Sequence, residues 1–78
     1  MDNLHEIIAF ILREVDIDGA PQNAKKKFNL DKKKYIEILE VMQDNEYIEL
    51  HKIDYAGNPI PEHSFITRKG HALIKEYY

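Results

Sequence analysis

Leu4, Ile7, Ile8, Ile11, Leu12 and Val15 recur three and four residues apart, the mark of a helix that buries one face. The spacing predicts an amphipathic helix over residues 3–15. With 78 residues and no cysteine, the chain lies near the lower limit for a core that folds without disulfide or thiolate–metal staples. One domain, residues 1–78, is therefore expected. Charged residues make up 32% and apolar residues 44% of the chain, a balance that suits a soluble globular domain rather than a disordered one. The longest apolar run, Ile7 to Leu12, is six residues and far too short for a membrane span. The start, Met1 to Glu6, has neither the basic region nor the cleavage site of a secretory signal. A cytoplasmic protein is expected.

Phe10 falls off the first stripe, so it is either exposed or packed against a second element. Asp16-Ile17-Asp18-Gly19 ends the helix, with Ile17 expected in a very short strand. Pro21 suits the first turn of a second helix, in which Ala24 and Phe28 face inward and Gln22, Asn23, Lys26 and Lys27 face out. Asp31 is a good N-cap for a third helix, with Leu30 and Tyr35 as a hydrophobic staple. Its inner stripe is Tyr35, Ile38, Leu39 and Met42, with Ile36 at the edge; Lys33, Glu37, Glu40 and Asp44 face the other way, and the helix runs to about Asn45. Residues 47–54 alternate as a strand with Ile48, Leu50 and Ile53 covered. Residues 55–59 are turn chemistry, and 60–66 return as a partner strand that Pro61 makes irregular. Thr67 caps a final helix with the stripe Gly70, Leu73, Ile74 and Tyr77.

The order is helix, tiny strand, helix, helix, β-hairpin, helix. That is an α+β winged helix-turn-helix: a three-helix core, a β-hairpin wing and a C-terminal helix. Two stretches add to it. Residues 39–48, Leu-Glu-Val-Met-Gln-Asp-Asn-Glu-Tyr-Ile, look like a recognition helix entering the first wing strand. Residues 65–74, Phe-Ile-Thr-Arg-Lys-Gly-His-Ala-Leu-Ile, look like the apolar-Thr-x-x-Gly-x-x-apolar segment that closes the wing in many bacterial winged-helix regulators. Over nearly its full length the chain resembles the YjcQ-like family of small winged-helix proteins from Gram-positive bacteria and their phages. The resemblance implies the fold; that wider fold hosts DNA binders and protein adaptors alike.

Function is approached through charge. Lys25-Lys26-Lys27 and Lys32-Lys33-Lys34 bracket Phe28-Asn29-Leu30. Residues 25–34 hold six lysines and one aspartate, a local charge of +5 on a chain whose total is −3, so the remainder carries −8. Such a directed surface points to an anionic partner met at one place. Lys26, Lys27, Lys32 and Lys33 are the expected phosphate contacts of a DNA-binding, transcription-regulator-like protein, with Lys34 and Lys52 peripheral and Asn23 and Gln22 as weaker polar contacts. Cations in the first turn of a helix are unfavourable by about 0.3–1 kcal/mol each, and an incoming phosphate would relieve that. Glu37, Glu40 and Asp44 argue against deep insertion of the third helix into a groove. The second and third helices contain no arginine for a bidentate guanine contact. Binding is expected to be shallow, weakly specific and steeply salt-dependent.

The competing expectation is a protein-interaction module, an adaptor or homodimer working through Phe10, Tyr77 and Tyr78, with Val41 and Tyr55 as further unplaced apolar positions. His5, His51, His63 and His71 offer no third metal ligand at a recognised spacing. Asp16-Ile17-Asp18-Gly19 lacks the later oxygen ligands of a calcium loop. The lone Ser64 has no evident base, and no glycine-rich phosphate loop is present. Neither catalysis nor a metal or other cofactor is expected.

Overall fold

The computed structural model describes residues 3–17, 23–54, 57, 59–60 and 62–78. Among them are four α-helices: α1 (Leu4–Ile17), α2 (Asn23–Lys27), α3 (Lys32–Asp44) and α4 (Arg68–Tyr77). One turn of 3-10 helix, His63–Phe65, precedes α4. No helix among the described residues is long and apolar enough to cross a membrane.

α1 is the centre of the molecule. Its Ile7, Ile8, Ala9, Phe10, Ile11, Leu12 and Val15 are all buried, more of its circumference than one stripe requires. The reason is that α2, α3, α4 and the 3-10 turn all pack on it. Each fully buried Ile or Leu is worth about 1.5–3 kcal/mol, so this helix organises the core. Phe10 is covered by a second element: its ring meets that of Phe28 edge-on, with centroids 5.6 Å apart and planes at 81°. Ile17 is the last residue of α1 and 63% exposed, not a tiny strand. Continuing the helix gives its N–H an intrahelical acceptor, which a strand residue without a partner would lack.

α3 follows its expected pattern closely. Tyr35, Ile38, Leu39 and Met42 are buried, Ile36 is half-buried, and Lys33, Glu37, Glu40 and Asp44 are exposed. The helix closes on Glu46 at φ 62°. The Glu46 N–H donates to the Gln43 carbonyl at 3.1 Å and the Tyr47 N–H to that of Met42 at 2.9 Å, which satisfies carbonyls the helix end would otherwise orphan.

Among the described residues the expected β-hairpin wing is absent, and with it the α+β winged-helix architecture. Among the described residues there is no strand or sheet, only two isolated antiparallel bridges, Ile48 with Ile66 and Ile53 with Pro59. The strand expected over 47–54 is broken at His51, which takes φ 67° and donates its N–H to Gln43 Oε1 at 2.7 Å. Histidine enters this left-handed region more readily than most residues. The turn leaves Leu50 62% exposed, so the alternating pattern does not become a covered face. On the return side Pro59 has no N–H to give a ladder, and residues 63–65 coil into the 3-10 turn. Asp18, Gly19, Pro21, Tyr55, Ala56, Asn58 and Pro61, on which other expected turns rested, lie outside the described residues.

The two stretches that resembled wing elements instead clamp α4 to the end of α3. Thr67 caps α4, its Oγ1 accepting the Gly70 N–H at 3.1 Å. Its hydroxyl reaches back to the carbonyls of Glu46 at 2.6 Å and Tyr47 at 3.0 Å, and its N–H donates to Tyr47 O at 3.2 Å. Lys69 Nζ donates to Asn45 O at 2.8 Å and lies 4.9 Å over the Tyr47 ring. Gly70 is what allows this approach. A Cβ there would overlap the Tyr47 carbonyl oxygen and stand 2.8 Å from Ile66 Cγ2.

Candidate nucleic-acid interface

The lysine cluster sits on a corner of fixed geometry. At the end of α2 the Phe28 N–H donates to Ala24 O and the Leu30 N–H to Lys25 O, both at 3.0 Å, while Asn29 takes φ 53°. Asparagine is one of the few residues besides glycine that visits this conformation routinely. Asp31 then caps α3, its Oδ1 accepting the Lys34 N–H at 2.7 Å. Leu30 packs half-buried against the core and Tyr35 is buried, as a staple requires. Residues 28–31 therefore close one helix and open the next, so lysines on both sides are held on one rigid turn.

The six lysines divide into two kinds. Lys25 is half-buried, with Nζ 4.7 Å over the Tyr35 ring. Lys27 is exposed, but it holds Nζ 4.7 Å over Phe10 and 5.7 Å over Phe28. Lys26, Lys32, Lys33 and Lys34 are exposed, and their side chains make no hydrogen bond, ion pair or ring contact among the described residues. Sequence spacing concealed this division. Tyr35 lies ten positions from Lys25 and Phe10 seventeen from Lys27, and only the misfit of Phe10 with its stripe hinted at a second aromatic contact.

The remaining expected contacts scatter. Asn23 is exposed on α2, its Nδ2 donating to Glu14 Oε1 at 3.4 Å. Gln22 lies outside the described residues. Lys52 is half-buried in the segment after α3, where its carbonyl accepts the Ile60 N–H at 3.0 Å. It sits on no wing, because the described residues form none. One expectation about the helix end also changes. The Asp31 carboxylate already stands at the N-terminus of α3, so a phosphate would meet ammonium groups there more than free backbone N–H groups.

Three further features lie around the corner and the core beneath it. Phe10 is only 8% exposed, which removes it from any partner surface; Tyr77 and Tyr78 are 47% and 53% exposed, with Arg13 lying 4.7 Å over the Tyr78 ring. An open groove of about 510 Å³ runs between segment 46–50 and the start of α4. It mixes Glu46 and Glu49 with Arg68 and Lys69 and includes none of the corner lysines. Burial, reinforced by the Asp54 carboxylate, pushes the Tyr35 hydroxyl up to about 12, and this hydroxyl has no hydrogen-bond partner among the described residues. Comparison of the chain with protein-family models, with curated proteins and with solved structures returned no match, so the functional reading rests on its own residues.

Proposed function

We propose that this is a small cytoplasmic DNA-binding protein of regulatory type, acting by binding alone and contacting the phosphate backbone through the α2–α3 corner. The observation that carries the reading is the set Lys26, Lys32, Lys33 and Lys34: exposed, without side-chain partners among the described residues, and flanking a turn capped from both sides. The rest of the chain is strongly acidic, so a polyanion is attracted to one place and repelled elsewhere. Glu37, Glu40 and Asp44, all exposed on α3, keep that helix from lying along base edges. The contact is to backbone rather than to sequence.

Fluorescence anisotropy with a labelled DNA duplex at low salt tests this. Binding is expected to weaken steeply with salt and to be lost when Lys26, Lys32, Lys33 and Lys34 are all replaced by Ala. Absence of binding at low salt, or an unaffected quadruple variant, overturns it. A second reading, a protein-interaction module, is favoured by the exposed pair Tyr77 and Tyr78. Sedimentation at micromolar concentration, read beside the DNA titration, separates the two: self-association abolished by Tyr77→Ser together with Tyr78→Ser, in a protein with no affinity for the duplex, supports the module.

A further inference from the structure

We infer that the cluster is two functional groups rather than one: Phe10, Phe28 and Tyr35 are positioning residues that hold Lys25 and Lys27 out of phosphate contact. Lys26, Lys32, Lys33 and Lys34 are then the whole contact set. The inference rests on the proposed DNA-binding reading and refines it.

The distances support the division. A lysine ammonium within about 6 Å of an aromatic centroid is attracted to the ring face. Lys25 meets that condition with Tyr35 at 4.7 Å, and Lys27 meets it twice, with Phe10 at 4.7 Å and Phe28 at 5.7 Å. Two of these rings belong to the core and the third, Phe28, is half-buried against it. Tyr35 is 1% exposed, Phe10 is buried in α1, and Phe28 is fixed edge-on against Phe10. A phosphate would have to draw either ammonium off a ring packed into or against the core. The other four lysines face no such competitor.

Held lysines still contribute to the field, because their charges lie within a Debye length of about 8–10 Å of the surface. They speed encounter without displacing counterions by direct contact. The salt dependence of binding therefore counts four cations and not six. With a slope of about −0.9 per neutralised phosphate on duplex DNA, log K against log salt should fall with a slope near −3.6. Six contacts would give about −5.4 by the same rule.

The test combines two measurements with the same labelled duplex. Anisotropy over a salt series is run on wild type, Lys33→Ala and Lys27→Ala. Lys33→Ala should make the slope shallower by about 0.9, and Lys27→Ala, which removes only a screened field contribution, should change it by clearly less. In wild-type protein, NMR of the lysine ε-methylene groups needs no variant to fold. Three lysines lie over rings, Lys25, Lys27 and Lys69, and their resonances should be shifted upfield; the Lys25 and Lys27 pair should stay in place when duplex is added, while those of Lys26, Lys32, Lys33 and Lys34 move. If the protein binds but Lys27→Ala lowers the slope as Lys33→Ala does, or if the ring-shifted pair moves with the others, the division is overturned and DNA binding stands. If the duplex moves no lysine resonance and produces no anisotropy change, the DNA-binding reading itself is overturned, and the inference with it.

Discussion

Gly70→Ala tests the joint on which the C-terminal half depends, and the two effects at work have opposite signs. Glycine in a helix is about 0.8–1 kcal/mol worse than alanine, so propensity alone makes this substitution stabilising. Packing says otherwise. The new Cβ would overlap the Tyr47 carbonyl oxygen and lie 2.8 Å from Ile66 Cγ2 and 3.3 Å from the Tyr47 carbonyl carbon. The closest obstacle is backbone, and it is held in place. Tyr47 O accepts the Thr67 N–H at 3.2 Å and faces the Thr67 hydroxyl at 3.0 Å. Restoring ordinary contact means moving α4 outward by roughly 1 Å, since side chains in a close-packed interior leave no slack for the methyl. Overpacking of this kind costs about 1–3 kcal/mol, and loosening the two Thr67 contacts costs about 0.5–1.5 kcal/mol each.

After the propensity gain is subtracted, a net loss of about 1–5 kcal/mol, centred near ~3, is expected. A chain of this length has only about 4–12 kcal/mol of total stability. Tm should fall by roughly 10–25 °C, and urea melts followed by circular dichroism should show a lower midpoint at an unchanged m-value. Ala72→Gly, on the exposed side of the same helix, is the internal comparison and should cost about 1 kcal/mol. A Gly70→Ala protein as stable as wild type, or more so, would refute the close approach of α4 to Tyr47.

Other perturbations separate polar from backbone effects. Tyr35→Phe removes a buried hydroxyl that lacks a partner among the described residues and should be neutral or stabilising by about 1 kcal/mol in urea melts. The same residue fixes a pH dependence. Its folded-state value, about 12, lies above the ordinary value of 10.0, so the unfolded chain loses that proton first. Stability should be level below pH 10 on this account and fall between pH 10 and 12, and Tyr35→Phe should lack that part of the fall; equal alkaline loss in both proteins would count against it. Glu46→Gly replaces a side chain held at φ 62°, where an L-residue is strained by roughly 1–2 kcal/mol. Part of that gain is lost to the greater freedom of the unfolded chain, so a rise of up to about 1 kcal/mol is expected, and a fall in Tm would contradict the left-handed closure of α3.

The parts legible in the sequence were those set by local chemistry. Asp31 and Thr67 cap their helices through side-chain oxygens reaching three residues ahead, a rule that needs no knowledge of the rest of the fold. The α3 stripe of Tyr35, Ile38, Leu39 and Met42 emerged intact, because a 3.6-residue period fixes which side chains share a face. The hairpin failed because alternation is necessary for a strand but not sufficient. Ile48, Leu50 and Ile53 keep the pattern only if the backbone stays extended, and His51 turns it, with Gln43 of α3 accepting its N–H. No pattern within residues 47–54 encodes that acceptor eight positions upstream. The same limit applies to the candidate interface. The lysines could be counted, but their division depends on Phe10 of α1 and Tyr35 of α3 lying beneath α2, which only the assembled core decides.

That division leaves a question of sign along α3 itself. Lys33 and Glu37 are four residues apart on an exposed face, about 6 Å along the axis, which is less than the Debye length of about 8 Å at physiological salt. A phosphate seated over Lys33 therefore also feels the Glu37 carboxylate, and the corner favours a backbone arriving from the α2 side, over Lys26 and Lys32. Replacing Glu37 by Gln removes one opposing charge while leaving the contact lysines in place. At about 8 Å through water the repulsion is on the order of 0.5 kcal/mol before screening, so affinity for duplex DNA should rise roughly twofold at low salt. The gain should shrink toward nothing near 1 M salt, where the Debye length is about 3 Å. A gain of the same size at both salt concentrations would mean that Glu37→Gln acts by reshaping the corner rather than through charge. No gain at low salt would mean that the phosphates lie beyond the reach of Glu37, with Lys26 and Lys32 as the centre of the contact.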